Sequence, residues 1–422
     1  MMRTVITAAS VAAFLAAPLA FAQTDVDDLR AEYEARLRAL EQRLSAANTF
    51  NPALSLALMG QYADYDNDAD FELPGFQLGG EAGRPKEGFS LDHTELTASA
   101  NIDPYWYGQM TVALANHDGE TELELEEAYI QSLALPGSLG LSFGRFFSGI
   151  GYLNSQHRHA WDFVDAPLPQ QAFLGGNYYD DGVRLTWLAP TPFFLELGLE
   201  ALRGGRFPAA HEGSGIGAYT ASAHLGGDVG ISHSWQAGVS HLWSEAEGRD
   251  GGGHSHGDSV EHGAAFSGDS DLLVLDAVWK WAPHGNARSR SVVLQGEYFQ
   301  RKEEGALSHA HDGHVHLARY DGTQRGFYTQ AVYQFRPRWR TGVRYARLWS
   351  DNRSDQAELL HEAGLEDADN ALEHYSLMLD FATSEFSRLR LQYSLDDTRD
   401  DAQSQWFLQY VMTLGAHGAH RF

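Results

Sequence analysis

The chain has 422 residues, 43% of them hydrophobic and 12% aromatic, and no Cys. That apolar share is too low for a bundle of membrane helices and too high for a disordered chain. The missing Cys rules out disulfides, thiolate metal sites and thiol nucleophiles. Lys and Arg number 30 against 57 Asp and Glu, a net charge of −27, which argues against general nucleic-acid binding.

The N-terminus sets the compartment. Arg3 precedes an apolar stretch from Val5 to Leu19, and Ala20-Phe21-Ala22 forms a small-residue cleavage site before Gln23. Residues 1–22 therefore read as a secretory signal, removed on export. The stretch falls short of the ~20 apolar residues of a spanning helix. In 23–49 the residues Val26, Leu29, Tyr33, Leu37, Leu40 and Leu44 recur at spacings of three and four. That is one helical face, predicting a periplasmic helix or short coiled coil that helps a trimer assemble.

From residue 50 to 422 the apolar period is two. Alternating segments occur at 53–65, 88–102, 105–116, 120–135, 139–147, 181–189, 193–203 and 217–226. They continue at 230–245, 270–282, 290–302, 323–336, 338–350, 371–383, 386–396 and 402–414. Tight Pro- and Gly-rich turns, among them Asp103-Pro104, Gly226-Gly227-Asp228 and Arg336-Pro337-Arg338, alternate with longer segments. The longer set comprises 66–87, 117–119, 148–180, 204–216, 246–269, 303–322, 351–370 and 396–401. Short turns inside and long loops outside predict an all-β, 16-stranded antiparallel transmembrane β-barrel, with 14 or 18 as the neighbouring even counts. In the last strand Trp406, Leu408, Tyr410, Met412 and Leu414 face lipid, while Gln405, Phe407, Gln409, Val411 and Thr413 face the lumen.

The signal segment, the short helix and the strand pattern resemble a bacterial outer-membrane porin. The helix before the barrel is similar to sugar-specific and anion-selective porins. Leu125-Glu126-Glu127-Ala128-Tyr129-Ile130 and Gly144-Arg145-Phe146 are similar to the phosphate-selective porin-like family. The resemblance implies an outer-membrane location in a Gram-negative bacterium, a homotrimer, and contact with lipid and lipopolysaccharide. It also implies recognition of the terminal Phe422 by the barrel-assembly machinery. There is no room for the plug and 22 strands of a TonB-dependent receptor.

In porins the third outside loop narrows the pore, and here that loop is 148–180. It carries His157, His159, Asp162 and Asp165 among aromatics and prolines. Alternation turns Arg184, Arg340, Arg344, Arg388 and Arg390 into the lumen, because an Arg on the lipid face costs ~2–4 kcal/mol at the midplane. Loop acids facing wall arginines would set a transverse field across the constriction; the alternative is pairing of these arginines with lumen carboxylates such as Glu122, Glu124 and Glu126. An acid excess predicts cation preference or little preference, against the uncompensated Arg array that anion capture needs.

Most of the 20 His lie in outside loops. Two clusters stand out, His254, His256 and His262 in one loop, and His309, His311, His314 and His316 in another. Imidazoles in such tracts suit zinc and other divalent metals, and His-rich barrels of this architecture resemble a subgroup that accompanies zinc limitation. No cofactor is required. There is no H-E-x-x-H pair, and no enzyme is expected. The sequence thus predicts a porin passing small hydrophilic solutes, with a non-conducting metal-binding or adhesion barrel as the alternative.

Overall fold

The computed structural model describes residues 52–415, apart from 68–70, 92, 118–119, 251–262, 312–313 and 400. The signal segment, the 23–49 helix, His254, His256, His262 and Phe422 lie outside the described residues.

Strand formation follows the period-two pattern. The segments are β1 (Ala53–Tyr65), β2 (Gly88–Leu91), β3 (Thr94–Asn101), β4 (Trp106–His117), β5 (Glu120–Ser132), β6 (Leu139–Phe147), β7 (Tyr179–Leu188) and β8 (Phe194–Leu202). They continue as β9 (Ala218–Val229), β10 (His233–Arg249), β11 (Ala265–Trp281), β12 (Ser291–His311) and β13 (His314–Arg336). The set ends with β14 (Trp339–Ser354), β15 (Leu372–Ser384), β16 (Ser387–Asp397) and β17 (Gln403–Gly415). Each pairs antiparallel with its neighbours, and β1 closes the ring against both β17 and β2–β3. β2 and β3 follow one another along β1, so seventeen segments make sixteen staves, as the alternation predicts.

The outer face is apolar. Leu185, Leu199, Val343, Leu377, Leu391 and Leu408 are exposed there, which in water would be an aggregating surface. Trp187, Phe193, Phe194, Tyr333 and Phe386 are exposed near the short-turn end, the place of an interfacial aromatic girdle. This is a transmembrane barrel of the outer-membrane type.

Several boundaries differ from the sequence reading. β9 runs through Gly226-Gly227-Asp228, and the reversal falls at Gly230, whose φ of 64° a glycine adopts without strain. The predicted loop 303–322 is instead the top of a long hairpin, since β12 reaches His311 and β13 starts at His314. Its 21 and 23 residues are about twice the 9–11 that cross a bilayer. No Pro or Gly cluster interrupts either strand before the Asp312-Gly313 pair, a sequence suited to a two-residue hairpin turn. The predicted loops 246–269 and 351–370 are shorter for the same reason, with β10 ending at Arg249, β11 beginning at Ala265 and β14 ending at Ser354.

Two irregularities reset which residues face inward. Phe89 and Leu91 face out on β2, but so does Leu96 on β3. The switch from odd to even requires a register break, and it falls between Leu91 and Thr94. On β5 a bulge opposite Thr111 leaves Glu126 and Glu127, adjacent in sequence, both buried.

The lumen is largely filled on its long-loop side. The segment between β6 and β7 folds inward through two short 3-10 turns and helix α1 (Leu168–Leu174), every residue of which is buried. Phe146, Ile150, Leu153, Phe173 and Tyr178 pack with wall residues such as Leu242, Phe299 and Leu348 in one apolar cluster. The first outside loop adds Leu73 and Phe76 to it. The two inserted chains meet at glycines, where a Cβ on Gly175 would lie 2.4 Å from the Gly79 carbonyl oxygen. A second cluster packs Leu359 of helix α2 (Ala357–Glu362), with Ala363 and Leu365, on Phe266, Leu307 and Tyr320 of the tall hairpin wall.

The apolar belt gives a direct test. Replacing Leu391 with Arg is expected to destabilise the barrel in lipid vesicles by ~2–4 kcal/mol, read from urea unfolding followed by Trp fluorescence.

Candidate functional site

The inserted segment carries opposite charges in order, and each meets its complement on the wall. Its acids go to the arginines of β14 and β16, which flank β15. Asp162 accepts from Arg340 Nη1 at 2.8 Å, and Asp165 accepts from Arg344 Nη2 at 2.7 Å. Gln392 Nε2 also donates to Asp165, at 2.6 Å, while its Oε1 accepts the Val164 N–H at 2.8 Å. Asp380 of β15 pairs with Arg340 and Arg390. Arg388 and Arg390 donate to main-chain oxygens of the segment, with Trp161 O at 3.1 and 2.9 Å, and Arg388 also reaches His159 O. Four arginines are thus balanced by three aspartates and by carbonyl dipoles.

His157, Arg158 and His159 go instead to an acidic stretch. His159 Nδ1 lies 2.9 Å from Glu95 Oε2, and His157 Nε2 lies 3.1 Å from Glu127 Oε2. Arg158 pairs with Glu81 of the first outside loop. His93, at the register break, bonds Glu126 across 2.6 Å. Glu95 and Glu126 sit on staves separated by β4, and there β4 presents Ala113, fully buried and too small to keep them apart.

These environments set the ionisation of the segment. Burial alone would push the Asp165 carboxyl up, but the Arg344 guanidinium beside it holds it below its ordinary value of 3.8. Burial alone would lower the His157 imidazole, and the Glu95 and Glu127 carboxylates hold it well above 6.5 instead.

All nine residues proposed for a constriction face the lumen or lie on the inserted segment. Their arrangement departs from the expectation. The acids touch the arginines directly rather than facing them across an aqueous gap, so no open transverse field forms between these groups. Arg340 and Arg390 do pair with a lumen carboxylate, as the alternative has it, but that group is Asp380 of β15. Arg184 stands apart, bonded to Glu200 at 2.6 Å. It lines a cavity of about 290 Å³ between the start of the segment and β7–β10, with Tyr152, Glu196, Glu200, His224 and Gln236.

Of the loop histidines, His309 and His316 are cross-strand partners on the tall hairpin, as are His311 and His314. His309 bonds Glu362 of α2. Alternation missed His93, Glu95 and Glu127 as site residues; His157 and His159 were singled out for a different role. The missing signal is the pair of irregularities on β2–β3 and β5, which a strict two-residue period cannot encode.

A protein of Aquifex aeolicus (strain VF5), described as an uncharacterized protein, is 31% identical over 423 residues, covering 93% of this chain and 85% of that one. The chain belongs to the same family as that protein. No established family profile matches it. Among solved structures it is similar to the outer-membrane channel DcaP of Acinetobacter baumannii, with a TM-score of 0.54 and 14% identity over 86% of this chain and 97% of that one. It is also similar to the trimer form of OmpT of Vibrio cholerae, with a TM-score of 0.52 and 8% identity over 86% and 99%. At these identities the likeness establishes the fold, which is that of the outer-membrane porins.

Asp165 makes the docking pH-dependent. Its folded pKa is depressed, so its contribution to stability is complete above 3.8 and is lost as pH falls through the lower folded value. Asp165→Ala leaves Arg344 buried without its counter-ion, an expected loss of ~3–5 kcal/mol at neutral pH. Urea titrations of the folded barrel from pH 7 to 3 should show that loss and a flatter acid limb in the variant.

Proposed function

We propose that the protein is an outer-membrane channel for passive diffusion of small hydrophilic solutes or ions, in which residues 148–178 form the constriction. The supporting observation is a closed sixteen-stave barrel whose longest internal segment folds back into the lumen and is held on the wall by ion pairs. His157, His159, Asp162 and Asp165 on that segment, with Arg340, Arg344, Arg388 and Arg390 on the wall, fix its position. Arg184 lies by the residual cavity, where Glu196 and Glu200 outnumber it. That imbalance, with the overall acidity, favours cations at the mouth and in the pathway.

The remaining assignments complete this reading. Residues 1–22 direct export. A homotrimer is supported by the trimer form of the V. cholerae barrel of the same fold. Lipid and lipopolysaccharide surround the belt. His309, His311, His314 and His316, with His254, His256 and His262, concentrate zinc or a similar divalent ion outside the mouth. No catalytic step is assigned.

The apolar cluster inside the barrel favours a second reading, a non-conducting metal-binding or adhesion barrel, because it removes part of the aqueous cross-section. Planar-bilayer recordings separate the two. The channel reading predicts discrete steps with a cation-biased reversal potential under a salt gradient, and a smaller bias in Glu196→Gln. It also predicts larger steps when Asp162→Asn and Asp165→Asn together loosen the segment. Folded protein that gives no steps overturns it in favour of the second reading.

A further inference from the structure

The cluster between the inserted segment and the acidic wall has the donor set of a metal centre. The ligand atoms of His93, Glu95 and Glu126 all lie within 4.8 Å of one another. His157 adds a fourth, with Nδ1 at 3.0 Å from Glu95 Oε2 and 3.9 Å from Glu126 Oε2. Donors around a tetrahedral zinc, at ~2.0–2.2 Å from it, stand about 3.4 Å apart. The facing His–Glu pairs stand 2.6 to 3.9 Å apart and the His93, Glu95 and Glu126 donors lie within 4.8 Å of one another, so side-chain shifts would bring them to that spacing.

Two carboxylate oxygens in this cluster, Glu95 Oε1 and Glu126 Oε2, are buried and make no hydrogen bond. Both glutamates are almost wholly enclosed, with side chains 2% and 3% exposed. A buried carboxylate oxygen without a donor is costly. Ion pairs between His and Glu leave one oxygen of each glutamate unused, whereas a cation bound centrally would engage them.

The surroundings are also those of a ligand histidine. While Nδ1 of His157 faces the cluster, its Nε2 lies 3.1 Å from Glu127 Oε2. Glu127 is itself held by Gln109 Nε2 at 2.7 Å and Thr111 Oγ1 at 3.3 Å. A carboxylate on the outer nitrogen fixes the tautomer and raises the basicity of a metal-binding imidazole. His159 similarly steadies Glu95 at 2.9 Å.

We propose that His93 Nε2, Glu95, Glu126 and His157 Nδ1 bind one divalent transition-metal cation inside the barrel, tying the inserted segment to the wall. Imidazole and carboxylate without thiolate suit Zn²⁺ and its neighbours in the first transition row. The site uses none of the loop histidines and stands whether or not the barrel conducts.

The test uses the full-length protein in detergent, with the seven loop histidines His254, His256, His262, His309, His311, His314 and His316 all changed to Asn. Folding is checked by the heat-dependent shift in gel mobility. Co²⁺ is the probe. The expected result is one equivalent bound with the visible bands of a four-coordinate nitrogen–oxygen site, displaced by one equivalent of Zn²⁺. Glu126→Gln should lower Co²⁺ affinity at least 100-fold, and Glu127→Gln, which keeps all four ligands, ~10–100-fold. Should Glu126→Gln fail to fold, His157→Asn on the more exposed side of the cluster gives the same readout. Folded protein that binds no Co²⁺, or whose binding His157→Asn leaves unchanged, overturns the proposal.

Discussion

The contacts of Asp162 and Asp165 with Arg340 and Arg344 decide how this barrel uses its interior. Four lumen arginines on two staves would repel one another if left together in a dry space. The inserted segment supplies two of the three aspartates that balance them, and its carbonyls take the remaining donors. Nine residues of chain, His157 to Asp165, therefore do two electrostatic tasks. His157, Arg158 and His159 meet carboxylates, and a few positions later the acids meet guanidinium groups. Because the two halves of the motif carry opposite charge and meet different stretches of wall, a slipped register would set like charges against each other.

Apolar packing completes the work that charge begins. Phe173 stacks on Phe299 at 5.5 Å and meets Phe76 edge-on at 5.6 Å, so the helix, the wall and the first outside loop are locked in one cluster. This gives the interior two characters. One side is a packed core like that of a soluble domain, and the side near β7–β10 keeps a polar cavity lined by Glu196, Glu200, His224 and Arg184. Any aqueous pathway is confined to what the packed part leaves.

The barrel was legible because lipid imposes a strict two-residue period on every stave. Leu389 and Leu391 outside fix Arg388 and Arg390 inside, and the same logic correctly turned Arg184, Arg340 and Arg344 inward. The length and aromatic content of 148–180 likewise marked it as an inserted element. What the period could not supply is distance. It gave facing, not contact, so the arginines were expected across water from the acids that in fact touch them. It also failed wherever a register break changes phase. His93 lies at such a break, and Glu126 and Glu127 at another, so a rule built on regular alternation could not bring these His and carboxylate groups together. The loop boundaries of the tall hairpin were misplaced for a different reason, since above the membrane the strands continue without the lipid-facing leucines that mark them below.

The central claim is that residues 148–178 are fixed against the wall of the folded barrel. Val164 packs beside Phe407 of β17 and Ala63 of β1, and the chain contains no natural Cys to interfere. The most direct measurement is cross-linking of Val164→Cys to Phe407→Cys with a short bis-maleimide in folded, membrane-embedded protein, followed by denaturing electrophoresis. A fixed segment predicts near-complete intramolecular cross-linking, seen as a faster-migrating looped chain. Thiols that both react with a monofunctional maleimide yet never join would contradict it.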